Sequence, residues 1–212
     1  MIRFAVFDLD GTLVDSSRDL CVSMNHALRS VGLPERTLSE IAGFVGEGAA
    51  RLVERAVAPA LDRFEPALKA WWEHYEEHLL DNTTLYPGVE RLLADLPWPA
   101  AVLTNKPSAM ARRLLAGLSV LDRFVEVVGG GDVPRKPDPT GTRAILSRQQ
   151  VLPTDAVLVG DSLVDLETAR AVPLGFVAVG WGLVPLDRLR AAGAPSVATS
   201  IDELRRALGM PV

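Results

Sequence analysis

The sequence has a single cysteine, Cys21, so it cannot form an internal disulfide and suits a reducing compartment. No stretch reaches the roughly 18 consecutive apolar residues of a membrane span, and no membrane partner is expected. Basic residues are in the minority. Twenty-seven acids against 22 bases leave a net charge of -5, which argues against a nucleic-acid partner held by a positive surface. Internal repeats and low-complexity tracts are missing too. The opening MIRFAVFDLD meets two carboxylates by residue 10, unlike a secretory signal. What is present is 212 residues at 48% apolar content, enough to bury a sizeable core in one domain or one with a modest insertion. A cytoplasmic globular protein, monomer or homodimer, is expected.

Short apolar runs recur at Phe4–Phe7, Ala100–Leu103, Val125–Val128, Ala156–Val159 and Phe176–Val179. They do not alternate with polar residues, as suits strands buried on both faces of a parallel sheet. Helix-like stretches follow the later runs, so repeating β-α units are the economical reading. Residues 15–85 break the rhythm with helical patterns throughout. Ser16 or Ser17 can cap a helix bearing Leu20, Met24, Ala27, Leu28 and Val31 on one face. Thr37-Leu38-Ser39-Glu40 reads as a capping box. Ala49, Leu52, Val53 and Ala56 make a further stripe, and Leu68, Trp71, Trp72, Tyr75 and Leu79 another. Leu85-Tyr86-Pro87-Gly88 reads as the return to the core. The expected division is a core of residues 1–14 and 86–212 carrying a helical insert of residues 15–85.

Ligands of open α/β sheets sit at the carboxyl ends of the strands. Those ends carry Asp8-Leu9-Asp10-Gly11-Thr12, Thr104-Asn105-Lys106, Arg135-Lys136-Pro137 after a triple glycine, and Gly160-Asp161-Ser162 with Asp165 a helical turn beyond. Carboxylates, a hydroxyl and an ammonium group would converge, as in a magnesium-assisted phosphoryl-transfer site. One carboxylate can attack phosphorus, and a second two residues on can protonate the leaving oxygen and then deprotonate water. Gly11 permits a sharp turn. Thr104 and the Asn105 amide can hold phosphoryl oxygens, while Lys136 can neutralise developing charge. Lysine is scarce, at Lys69, Lys106 and Lys136 alone against 19 arginines, which adds weight to Lys136.

In order and context these motifs resemble the haloacid dehalogenase-like hydrolase superfamily over the whole chain. The resemblance implies an α/β, Rossmann-like parallel sheet with helices on both faces and an inserted α-helical C1 cap. It implies Asp8 as nucleophile and Asp10 as general acid/base. It also implies Mg²⁺ held by the Asp8 carboxylate, the Asp10 main-chain carbonyl and Asp161, with Asp165 in support. Phe44-Val45-Gly46-Glu47-Gly48-Ala49, Leu103-Thr104-Asn105-Lys106-Pro107, Val127-Val128-Gly129-Gly130, Val179-Gly180-Trp181-Gly182 and Ser200-Ile201-Asp202-Glu203-Leu204 are similar to bacterial phosphoglycolate phosphatases. That family implies 2-phosphoglycolate as the small phosphorylated substrate. Arg135, where a second Lys is common, and Asp138-Pro139-Thr140-Gly141 depart from the usual pattern.

Gly46, Glu47 and Gly48 are candidates for substrate specificity, because their N–H groups at a helix start can meet an anion. A plain helix-helix turn is the competing account. Another sugar phosphate such as N-acetylmuramic acid 6-phosphate is an alternative substrate. A β-phosphoglucomutase-like enzyme would carry a histidine where this chain has Leu20, and a phosphonate hydrolase would need a cap lysine, for which only Lys69 is available. An inactive scaffold would have no reason to keep both Asp8 and Asp10. His74-Tyr75-Glu76-Glu77-His78 matches an inverted zinc-protease pattern, but without a third ligand it reads as an exposed helix face. Trp71, Trp72 and Tyr75 read as packing.

Overall fold

The computed structural model describes residues 2–211. Strand β1 (Phe4–Phe7) leads to a short strand β2 (Val14–Asp15). Helices α1 (Ser17–Ser30), α2 (Leu38–Ala42), α3 (Ala49–Val57) and α4 (Phe64–Glu77) follow, and β3 (Thr84–Leu85) returns the chain. Helices and strands then alternate through α5 (Val89–Ala94), β4 (Ala100–Pro107), α6 (Ser108–Gly117), β5 (Glu126–Gly130) and α7 (Thr140–Gln149). The chain closes with β6 (Ala156–Gly160), α8 (Leu163–Ala171), β7 (Gly175–Val179), α9 (Leu186–Ala191), β8 (Val197–Ala198) and α10 (Ile201–Ala207).

The main sheet is parallel and ordered β5-β4-β1-β6-β7-β8. Side chains alternate across it with the period of two that strands impose. Ala5 and Phe7, Val102, Val157 and Val159 face one apolar layer with Leu92 of α5, Leu114 of α6 and Leu204 of α10. Phe4 and Val6, Leu103, Leu158 and Phe176 face the other, with Ile145 of α7, Leu166 of α8 and Leu189 of α9. Continuous apolar runs are therefore what a sheet covered on both faces requires. The run expected at Val125–Val128 begins one residue later and extends to Gly130. Val125 is half exposed, which fits its place outside the strand.

The departure and return of the helical insert are joined by an antiparallel pairing, Val14 with Leu85 and Asp15 with Thr84. Asp19 in α1 clamps the return. Its Oδ2 accepts hydrogen bonds from the N–H groups of Asn82 (2.9 Å) and Thr83 (2.8 Å) and the Thr83 hydroxyl (2.8 Å), and its Oδ1 accepts from Asn82 Nδ2 (2.7 Å). Within the insert, Leu20, Met24, Ala27 and Leu28 of α1 and Trp71 and Tyr75 of α4 are buried, as their spacing predicts, while Val31, Leu68 and Trp72 are only partly so. The capping box at Thr37 and Glu40 is present in full. The expected serine cap of α1 is not. Ser16 holds the N-cap position without capping the helix. Its hydroxyl donates instead to Asp10 Oδ1 at 2.6 Å, and Ser17 bonds to Asp15.

Candidate active site

The chain passes from β1 to one side of the sheet through β4 and β5, then crosses to β6 on the other. The crevice at such a reversal is where open α/β sheets bind ligands, and it gathers the residues that end β1, β4 and β6. Asp8 follows β1 directly. Asp161 follows β6, and Asp165 lies in the first turn of α8. Oxygens of the Asp8, Asp161 and Asp165 side chains lie within 4.8 Å of one another, and all three are buried. Among the described residues, no other group of three or more acidic, cysteine or histidine side chains comes close enough to share a metal ion.

One buried ammonium serves this cluster. Lys136 Nζ lies 2.7 Å from Asp8 Oδ1 and 2.6 Å from Asp165 Oδ1. Asp165 is further satisfied from its own helix start, accepting at Oδ2 from the Ser162 N–H (3.1 Å) and hydroxyl (2.5 Å). It closes the capping box of α8 and holds Lys136 at once. Asp161 accepts from the Leu183 N–H at 2.7 Å and the Thr12 hydroxyl at 3.3 Å.

Packing keeps Asp161 in place. A Cβ on Gly11, whose φ is +85°, would come within 2.3 Å of Asp161 Oδ2, and one on Gly182 within 2.2 Å of its Cβ. Glycine is needed at both positions. Trp181 Nε1 donates to the Thr12 carbonyl at 3.1 Å, which ties the segment after β7 to the loop after β1. The part played by Trp181, Gly182 and Leu183 has no signal in the sequence beyond the local family resemblance, because a main-chain N–H carries no residue identity.

Electrostatics favour a cation here. Burial, and then the neighbouring charge of Asp165, push Asp8 from 3.8 up to about 8, with Lys136 opposing only in part. Burial and Asp165 likewise push Asp161 up to about 7. Burial alone would lower the Lys136 ammonium, but Asp165 and Asp8 outweigh it and hold it above its ordinary range. Three buried carboxylates with one ammonium, paired to Asp8 and Asp165, leave an excess of acidic groups at the site. A hard-oxygen donor set with that excess fits a divalent ion such as Mg²⁺.

Asp10 stands apart from the three. Its carboxylate meets Lys106 Nζ at 2.7 and 2.9 Å as well as the Ser16 hydroxyl. Lys106 is 5% exposed and sits 5.0 Å from the centre of the Tyr75 ring. Attraction to Asp10 outweighs the burial that would lower its ammonium. The motif order gives Lys106 no role, although the scarcity that marks Lys136 applies to it equally. Strand alternation also puts it on the same side of β4 as Thr104.

A cavity of about 50 Å³ opens against Asp8 and Asp10, with Thr104, Asn105 and Lys106 on the sheet side. Leu20, Val45, Gly46, Gly48, Leu52, Trp71, Trp72 and Tyr75 line it from the helical insert. Trp71, Trp72 and Tyr75 are therefore packing residues and cavity wall together. The Thr104 hydroxyl accepts from the Lys106 N–H at 3.1 Å and keeps its own hydrogen for another acceptor. The Asn105 side chain, by contrast, is fully engaged. Its Nδ2 donates to the carbonyls of Gly46 (2.8 Å) and Lys136 (3.1 Å), and its Oδ1 accepts from the Lys136 N–H at 2.8 Å. It acts as a clamp between the insert and the two sides of the crevice, so a hold on phosphate through this carboxamide does not fit.

The Gly46–Gly48 turn divides in the same way. Gly46 and Gly48 line the cavity with φ of +120° and +88°. Glu47 is exposed and paired with Arg55. A Cβ on Gly48 would approach Arg135 Nε to 3.1 Å, which gives the unusual Arg135 a packing partner. Asp138 accepts from the Thr140 N–H at 2.8 Å just ahead of α7. His74 and His78 stack at 4.2 Å and bond to Ser23 and Asp81 respectively, and they form no shared metal group.

Comparison with known proteins agrees with this geometry. A family model described as haloacid dehalogenase-like hydrolase matches residues 5–179. A phosphoglycolate phosphatase of Cereibacter sphaeroides is 41% identical, covering 81% of this chain and 82% of its own. One from Chromobacterium violaceum is 38% identical, covering 96% and 95%. The crystal structure of a predicted phosphoglycolate phosphatase from Haemophilus somnus 129PT superposes with a TM-score of 0.90 at 29% identity, covering 97% of this chain and 98% of that one. The chain belongs to the haloacid dehalogenase-like hydrolase family and is closely related to the bacterial phosphoglycolate phosphatases.

Proposed function

We propose that this chain is a Mg²⁺-dependent phosphomonoesterase of small metabolites, with 2-phosphoglycolate as its substrate. The observation that carries the reading is the Asp8 carboxylate at a small cavity, backed by Lys136 and neighboured by Asp161 and Asp165. Asp8 attacks phosphorus and forms an aspartyl-phosphate as the P–O bond to the leaving group breaks. Lys136 stabilises the charge gathering on the phosphoryl oxygens, and Thr104 donates a hydrogen bond to one of them. Asp10 protonates the departing oxygen and later takes a proton from the attacking water. The Asp8 and Asp161 carboxylates and the Asp10 carbonyl would hold the metal, with Asp165 behind them. Bound there, Mg²⁺ supplies charge neutralisation and alignment for the displacement.

Residues 15–85 act in this reading as a cap on a core of residues 1–14 and 86–212, excluding water from the cavity during the first step. Leu20, where a β-phosphoglucomutase would carry its histidine, lines the cavity with apolar surface. No helix among the described residues is long and apolar enough to cross a membrane, and lone Cys21 suits a cytoplasmic setting. The test is kcat/KM with Mg²⁺ over a panel of phosphorylated metabolites. Preference for 2-phosphoglycolate supports the reading, and preference for a hexose or amino-sugar phosphate replaces the substrate. No turnover of any phosphomonoester would return the chain to the scaffold class.

A further inference from the structure

Tyr75 is 1% exposed, lines the cavity, and its hydroxyl has no hydrogen-bond partner. Leaving such a group unpaired costs on the order of 1–3 kcal/mol, so a buried phenol in this state marks a place where something else binds. Its ring is stacked on Trp71 at 4.8 Å, which holds the phenolic oxygen in place. Lys106 stands beside it and is the one cationic side chain lining the cavity among the described residues. Asp10 engages the ammonium through two contacts. An ammonium has three N–H donors; the third lies on the Tyr75 side, near the ring and its hydroxyl.

We propose that Lys106 and Tyr75 together recognise a second anionic group of the substrate, a carboxylate close to the phosphoester oxygen. This rests on the assignment of Asp8 to the phosphoryl end. Much of the remaining cavity wall is apolar: Leu20, Val45, Leu52 and Met110 offer no hydrogen bond, and the Gly46 carbonyl is turned to Asn105. The Trp71 indole N–H, also buried without a partner, is a neutral donor stacked beside the Tyr75 ring, so Lys106 is the group that supplies charge. An anion entering beside Asp8 and Asp10 therefore meets an ammonium from the core and a phenol from the insert. The pair spans the two layers, so a carboxylate bridging them would bind only with the insert seated over the sheet. The substrates selected are phosphate esters of short hydroxy acids.

The test compares 2-phosphoglycolate with ethyl phosphate, which replaces the carboxylate by a methyl group. Phosphonoacetate and ethylphosphonate serve as non-hydrolysed inhibitors of aryl phosphate turnover. Tyr75→Phe should lower kcat/KM for 2-phosphoglycolate and weaken phosphonoacetate inhibition by about tenfold. Its effect on ethyl phosphate and ethylphosphonate should be no more than about twofold, within the range of uniform packing effects. Its melting temperature should hold or rise, because the lost hydroxyl had no partner; a purely structural tyrosine would show a fall. Lys106→Met should remove the preference for phosphonoacetate over ethylphosphonate altogether. A parent enzyme that prefers both carboxylated compounds, with variants that lose equally on all four, overturns the recognition pair and leaves the proposed function standing. A parent with no preference in either turnover or inhibition overturns the recognition pair and 2-phosphoglycolate as the substrate, and leaves the phosphomonoesterase reading to the metabolite panel.

Discussion

Asp19 in α1 and Asp8 after β1 are buried aspartates on either side of β2, at 1% and 8% exposure, and their surroundings provide for them in opposite ways. Asp19 receives four hydrogen bonds from Asn82 and Thr83. Both of its oxygens are engaged, and its role ends at pinning β3 to α1. Asp8 has the Lys136 ammonium, which it shares with Asp165, and two like charges nearby. A carboxylate that is fully hydrogen-bonded holds a structure together, whereas one left in debt of positive charge is poised to bind or react. Asp165 lies between these extremes, with its own Ser162 donors and a share of Lys136.

The contrast is tested most severely by Asp8→Asn. Loss of turnover by about a thousandfold or more is expected, because an amide cannot form the phosphoenzyme. Above about pH 8, where Asp8 is ionised, the metal-free melting temperature should rise, since one of three crowded charges is gone. Turnover comparable to the parent would break the assignment.

Next in size is the metal requirement. Asp161→Ala should raise the Mg²⁺ concentration for half-maximal activity by about a hundredfold or more. Asp165→Ala should raise it by about tenfold, as expected of a group that orients a ligand. Equal shifts would mean that Asp165 binds the ion directly.

Asp19→Ala should act in the reverse sense to Asp8→Asn. Removing the acceptor strands buried donors of Asn82 and Thr83, at a cost of about 3 kcal/mol. For a chain of this size that lowers the melting temperature by roughly 6–12 °C, while the folded fraction keeps its turnover of an aryl phosphate. A fall in kcat without a fall in stability would contradict a structural Asp19.

The smallest effect is a slope with pH. Asp8 and Asp161 are raised from 3.8 to about 8 and about 7, so the folded chain binds more protons than the unfolded one between those limits. Their contribution to stability is fully present below about 3.8 and is lost as pH rises through 7 to 8. Metal-free protein should therefore melt at lower temperature as pH climbs across that window, and excess Mg²⁺ should flatten the slope by replacing the protons. A slope unchanged by Mg²⁺ would place the titrating groups elsewhere.

The sheet was legible from the sequence because both of its faces are buried. Apolar continuity at Ala156–Val159 has no other economical source, and the motif aspartates fall at strand ends where the fold must bring them together. Asp8, Asp161 and Lys136 meet for that reason. The site residues that escaped notice are those whose partners are distant or carry no side-chain signature. Lys106 and Asp10 are 96 positions apart, and the Leu183 N–H on Asp161 could belong to any residue. Ser16 was misread because a hydroxyl before a helix has two equally short uses, and only the position of Asp10 selects between them.

The helical insert shows the same division. Its stripes of Leu20, Met24 and Leu28, and of Trp71 and Tyr75, follow from the 3.6-residue period, and the Thr37–Glu40 box from local hydrogen bonding alone. Those are properties of neighbouring residues and are determined by the chain itself. That Tyr75 lines a cavity beside Lys106 with its hydroxyl unpaired, that the Asn105 side chain is spent on Gly46 and Lys136, and that Asp19 is satisfied while Asp8 is not, were decided by the packing of the insert against the sheet. Local sequence sets which groups exist and which way a helix or strand faces. Which of them find partners depends on segments brought together from far along the chain.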